Sequence, residues 1–173
     1  MNKQSGFTLI ELCVAVAIMA VLSVIAIPNM IAWRANAQLN STGRDIFSAL
    51  QYCRVEASRR GAPVMLDFDI DGNGIVEDYV AWVDDGQGTV DSEPNGILDG
   101  RDDHLLDPDE IVLFRETLPN RISIPTVPFG ASGGWTSFNT RAMPNWTGNV
   151  ILTNSRNRTL TVVLFSGGGV EVQ

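Results

Sequence analysis

The chain has 173 residues, 45% of them hydrophobic and 18% charged, with a formal net charge of -8. That length builds one ordinary domain and excludes a multidomain machine, and the acidic balance excludes bulk binding to phosphate polymers through a generally basic face. The acidity belongs to one segment: residues 67–110 hold 15 acids against Arg101 alone, net -14, so the remaining residues sum to +6. Two cysteines, Cys13 and Cys53, are too few for a disulfide scaffold. On one helix they would stand about 60 Å apart, far beyond disulfide reach.

Residues 7–27 form an apolar run interrupted by one charge, Glu11. At about 1.5 Å per residue the run spans about 32 Å, enough to cross a bilayer. The preceding residues 1–6 carry Lys3, which predicts that this end stays in the cytoplasm and the remainder faces outward. A secretory signal would have a shorter apolar core followed by a small-residue cleavage site, whereas here the small Gly6 precedes the run. A carboxylate at membrane depth is costly without a cationic or hydrogen-bonding partner, so Glu11 either has a specific role or snorkels to the cytoplasmic interface.

The string Gly6-Phe7-Thr8-Leu9-Ile10-Glu11, followed by an apolar helix with Pro28, resembles the class III leader of type IV pilins and type II secretion pseudopilins. The resemblance implies cutting after Gly6 by a prepilin peptidase and methylation of the new Phe7 amine. It also implies that Glu11 pairs with the N-terminal amine of a neighbouring pilin or pseudopilin subunit during assembly in the inner membrane.

Beyond Pro28, Leu39, Ile46, Leu50, Cys53 and Ala57 recur at intervals of 7, 4, 3 and 4, while Arg44, Gln51, Arg54, Ser58 and Arg59 fall between them. This predicts an amphipathic helix over residues 29–61, bent but not ended by Pro28 and stopped at Gly61. Short runs rich in β-branched and aromatic residues then predict strands at 62–68, 79–83, 111–115, 121–124, 148–153 and 159–165, with a short one near 135–138. Ser166-Gly167-Gly168-Gly169 before Val170-Glu171-Val172 predicts a terminal hairpin. The expected fold is α+β: a leader at 1–6, a membrane helix at 7–28, and an antiparallel sheet over 62–173 packed on the second half of the helix.

Residues 47–57 with Arg60-Gly61-Ala62-Pro63-Val64, the stretch around Trp82-Val83-Asp84 and residues 162–172 resemble H-type minor pseudopilins and the related FimT-like minor pilins. The resemblance implies a pilin-like structural subunit of a type II secretion pseudopilus, in the inner membrane with its head in the periplasm. Its alternative is a minor pilin of a type IV pilus. Some FimT-like members bind DNA through a C-terminal Gly-Arg-x-Arg sequence. Here Gly168-Gly169-Val170-Glu171 stands in that place without either arginine, which disfavours DNA uptake.

No catalytic set emerges. Gly130-Ala131-Ser132-Gly133-Gly134 matches G-x-S-x-G, but the single histidine, His104, precedes it and no helical pattern follows, so a flexible turn is the better reading. His104 stands among Asp102, Asp103 and Asp107 without cysteine neighbours, an improbable zinc site. Asn154, Arg156 and Arg158 with Thr153 and Ser155 form a small basic turn, either a phosphate contact or a solvated hairpin tip.

The crowded acids of residues 67–110 repel one another unless a cation or solvent screens them. In the window 91–102 the ligand positions of a calcium loop hold Asp91, Glu93, Asn95, the Ile97 carbonyl, Asp99 and Asp102, with Gly96 at the turn. In the weaker window 69–80, Asp69, Asp71, Asn73 and Glu77 fit, but Val80 occupies the closing carboxylate's place. Two readings stand side by side: a calcium site and an acidic, solvated loop. On the first, titration calorimetry should show calcium binding, with a rise in melting temperature that chelator reverses. An unchanged melting curve in several millimolar calcium would leave the solvated loop.

Overall fold

The computed structural model describes residues 8–69, 76, 78–84, 106, 110–126, 128–129 and 133–173. One helix, α1 (Leu9–Arg60), carries eight strands: β1 (Val64–Asp67), β2 (Asp78–Val83), β3 (Ile111–Thr117), β4 (Ile122–Ser123), β5 (Trp135–Phe138), β6 (Gly148–Asn154), β7 (Thr159–Leu164) and β8 (Val170–Val172). At 52 residues the helix is about 78 Å long. It bends by 41° between Leu9–Val24 and Asn29–Arg60, in the short stretch that contains Pro28. Proline removes one helical donor there, which bends a helix without ending it. Among the described residues no single unbent helix is long and apolar enough to cross a membrane, whereas the bent pair meets that requirement together.

The helix ends where its sequence stops supplying an L-residue conformation. Gly61 adopts φ 66°, ψ 23°, the left-handed cap that costs glycine nothing, and its N–H donates to the Ala57 carbonyl at 3.0 Å. One turn earlier Glu56 is buried and accepts from Arg59 Nη2 at 2.7 Å and Arg60 Nε at 2.8 Å. The two cations also face the negative end of the helix dipole.

From Ala35 onward the helix is amphipathic in the expected way. Leu39, Ile46, Leu50, Cys53 and Ala57 are fully buried, while Arg44, Ser58 and Arg59 face outward. They pack against Val64, Leu66, Phe68, Phe138, Val150, Leu152, Val162 and Leu164 in one continuous core. Burial pushes the Cys53 thiol up, so it behaves as a small apolar side chain.

The strands form two antiparallel sheets where one was expected. The first has the order β3-β2-β1-β5 and the second β4-β6-β7-β8. The division falls at residues 139–147. Asn139 Oδ1 accepts from the backbone of Arg141 and Met143, and the turn returns to Phe138 only through a single bridge at Pro144. The chain therefore leaves the first sheet at β5 and starts the second at β6, with both sheets resting on α1.

In the first sheet β1 and β2 are covered on both faces, which explains why they read as nearly continuous apolar runs, while the edge strand β3 is mostly exposed. Its outer face holds a second cluster of Met65, Val80 and Trp82, packed by Leu106 and Trp135. In the second sheet the alternation is strict. Val150, Leu152 and Asn154 of β6 turn inward, as do Val162 and Leu164 of β7. At Gly43 a Cβ would come within 2.5 Å of Leu160 Cδ2, so β7 lies close against the helix there.

Truncating Leu50→Ala should cost about 2–5 kcal/mol of head stability, whereas Leu22→Ala, on an uncovered part of the helix, should leave the melting of the head unchanged; chemical denaturation reads both. Hydrogen bonds from Arg59, then Arg60, hold the Glu56 carboxyl below its ordinary pKa of 4.5. The folded state thus binds that proton more weakly than the unfolded state. The stabilisation is present above about pH 4.5 and is lost as pH falls through the folded value. Melting curves across that range should show the gap between wild type and Glu56→Gln closing as the solution is acidified.

Candidate assembly interface

The helix meets two environments along its length. From Leu9 to Trp33 its large apolar side chains are 47–82% exposed, including Leu12, Ile18, Leu22 and Met30. At Ala35, 1% exposed, burial by the head begins. Nothing among the described residues covers the first half, and so long an apolar surface is stable only in lipid or against other helices. Ser23 Oγ donates to the Met19 carbonyl at 2.7 Å, which satisfies its hydroxyl without water.

At the start of the helix Thr8 and Glu11 form a reciprocal cap. Thr8 N donates to Glu11 Oε2 at 2.9 Å and Thr8 Oγ1 to the same oxygen at 3.0 Å, while Glu11 N donates to Thr8 Oγ1 at 3.3 Å. The carboxylate sits at the positive end of the helix dipole, where a negative charge is favoured. These bonds use two of roughly four acceptor positions on the carboxylate, leaving capacity for a cationic partner. The cap was legible as Thr8-x-x-Glu11 ahead of an apolar run, a signal not used in reading Glu11. Gly6 and Phe7 lie outside the described residues. The cap itself lies wholly downstream of their junction, so cutting there would leave it intact.

Among the described residues the head offers a groove of about 690 Å³ between α1 and the edge strand β3. Tyr52, Tyr79 and Phe114 line it, with Tyr79 stacked on Phe68 at 5.4 Å and edge-on to Phe114 at 6.1 Å. Burial, with the charges of Glu116 and Asp45 adding to it, pushes the Tyr79 hydroxyl up to about 12, so it stays protonated at neutral pH. The groove's titratable groups are Asp45, Glu116 and two tyrosines, which supply no nucleophile–base pair.

The residues proposed for calcium are mostly outside the described set. Asp91, Glu93, Asn95, Ile97, Asp99 and Asp102 lie there, as do Asp71, Asn73 and Glu77. Asp69 is described and buried, its N–H donating to Asp67 Oδ1 at 2.8 Å. Among the described residues no three His, Cys, Asp or Glu side chains are grouped to hold a metal ion. His104 and Ser132 also lie outside the described residues, whereas Gly133 and Gly134 take positive φ, as a turn requires.

Two family models match the chain. The prokaryotic N-terminal methylation motif covers residues 1–27, and type II transport protein GspH covers residues 42–168, well over half of the chain. No curated protein and no solved structure matches it significantly. The methylation motif implies anchoring in a membrane through the N-terminal helix, and the GspH match falls on the part of that helix the head buries together with nearly all of the two sheets. With a capped apolar helix leading an α+β head, the chain belongs to the GspH family, the minor pseudopilins of type II secretion.

Proposed function

We propose that this minor pseudopilin is held in the inner membrane by a single pass of α1, with its head in the periplasm, until it is drawn into the pseudopilus through the same helix. The observation that carries this reading is the uncovered apolar surface from Leu9 to Trp33, continuous with a helix whose other half is the spine of the head. Lipid covers that surface before assembly, and the helices of other pseudopilins cover it afterwards. In neither setting does the head need to change, because its own core begins only at Ala35. The chain works by assembly rather than catalysis, in keeping with a family of structural subunits.

Within this reading, a prepilin peptidase cuts between Gly6 and Phe7 and the new amine of Phe7 is methylated, as the methylation motif over residues 1–27 supports. Glu11 would be the fifth residue of the processed chain and is already oriented by Thr8. Its remaining acceptor positions are then available to the N-terminal amine of a neighbouring subunit. A charge-assisted bond of this kind is short and roughly twice as strong as a neutral one, which offsets the cost of keeping a carboxylate in lipid. Calcium bound by the 91–102 window remains part of the proposal for the head.

N-terminal mass spectrometry of chain recovered from membranes with an active prepilin peptidase should find Phe7 as a methylated first residue, and Gly6→Ala should slow its appearance. An intact Met1 terminus would contradict the processing. Glu11→Ala should insert yet co-purify poorly with partner pseudopilins, and Thr8→Ala, which keeps the carboxylate but loses the hydroxyl, should fall between it and wild type. Wild-type yields of co-purified partners with Glu11→Ala would confine the carboxylate to capping its own helix.

A further inference from the structure

The basic turn between β6 and β7 is held in a definite place. Asn154, the last inward residue of β6, is 3% exposed, and its Nδ2 donates to Asn36 Oδ1 on α1 at 3.1 Å. Its Oδ1 accepts from the backbone N–H groups of Arg156 and Arg158, both at 3.0 Å, and Asn157 takes the positive φ of 59° that turns the chain. Ser155 N donates to the Arg121 carbonyl at 3.1 Å, which brings the turn before β4 to the same spot. Three segments distant in sequence thus converge at the level of residue 36.

That level is where the helix leaves its apolar environment. Trp33, 68% exposed, ends the continuous exposed apolar run that begins at Leu9, and Asn36 lies only about 4.5 Å further along the axis. Exposed tryptophans mark membrane–water interfaces. Arg34, Arg121, Arg156 and Arg158 are all exposed, and the ion pairs among the described residues involve none of them. In sequence no acid occurs between Glu11 and Asp45, or between Glu116 and Glu171, and the β1–β2 connection, which carries acids, meets the end of β4 where Val76 bridges to Ile124. The acidic stretch between β2 and β3 departs and returns at Val83 and Ile111, paired with each other beside Val64 at the far end of the helix.

We propose that the base of the head is a basic collar, formed by Arg34, Arg121, Arg156 and Arg158 beneath the Asn154 clamp, that rests on the phosphates of anionic phospholipids while the subunit waits in the membrane. Guanidinium groups pair with phosphate in bidentate geometry, and anionic lipid surfaces attract basic side chains within about a Debye length. The collar sets the height and tilt of the head over the bilayer. Because it sits at the outer surface rather than in the core, it can be released when the subunit moves into the filament. This inference rests on the membrane-anchored reading of α1 above.

The test uses the full-length chain carrying a photo-crosslinking phenylalanine in place of the exposed Ser155, reconstituted into vesicles. Vesicles of phosphatidylcholine alone are compared with vesicles holding about 30 mol % phosphatidylglycerol. Phospholipid adducts at position 155 should rise at least about twofold with the anionic lipid and fall back in about 1 M salt, where screening acts within about 3 Å. Arg121→Gln/Arg156→Gln/Arg158→Gln should abolish the rise, and the corresponding lysine variant should restore part of it. Adduct yields independent of lipid charge and of the arginines, in chain that still floats with the vesicles, would overturn the collar alone. Failure to float would overturn the anchored reading and the collar with it. Retention of a short DNA duplex by the same arginines, without lipid adducts, would also overturn it.

Discussion

Burial of one face of α1 between Ala35 and Ala57 is the interaction on which the rest of the head depends. The shared core is built on the helix: β1 and β5 of one sheet and β6, β7 and β8 of the other meet through Leu39, Ile46, Leu50 and Cys53. The helix is therefore the wall on which two sheets are mounted, and it must be long and continuous to serve both. A helix of that rigidity is also the natural handle by which the subunit is held in lipid and packed into a filament. The two tasks divide along its length, since exposed apolar residues run continuously up to Trp33, whereas beyond it the head buries a stripe through Leu39, Ile46, Leu50, Cys53 and Ala57.

That division was written in the sequence because it depends on local periodicity. An uninterrupted apolar run and a 3.6-residue stripe differ residue by residue, and Gly61 marks the end of the helix by its own backbone chemistry. The strands were legible for the same reason: β5 through β8 alternate or carry β-branched runs between turn residues. The partition into two sheets was not, because it is decided by which edges pair, and those pairings join segments as distant as Leu66 and Thr136. The turn at 139–147, which returns to β5 through one bridge between Phe138 and Pro144, settles the matter only once β5 has found β1.

At the functional end, the methylation motif over residues 1–27 was legible because it is carried by contiguous sequence. The Thr8 cap is equally local, a Thr-x-x-Glu pattern at the head of the apolar run. Asn154 shows the opposite case. It looks like an ordinary turn residue, and only the inward alternation of β6 against the helix reveals it as a buried hub tying the hairpin to Asn36. The acidic stretch presents the remaining contrast, since its charge density is plain from composition while ligand geometry is a property of folded loops.

The chemistry of the chain is consistent with a subunit whose activity is its position in an assembly: an oriented carboxylate at the helix start, a bare apolar helix, and a head closed around its own core. The most direct measurement of that claim is the phenotype of a strain lacking the chain, with exoprotein export, surface pili, motility and transformation followed side by side. A minor pseudopilin predicts exoproteins retained in the periplasm while pili, motility and transformation stay normal, and recovery of export when the intact chain is supplied. Normal export with loss of pili, motility or transformation would contradict it.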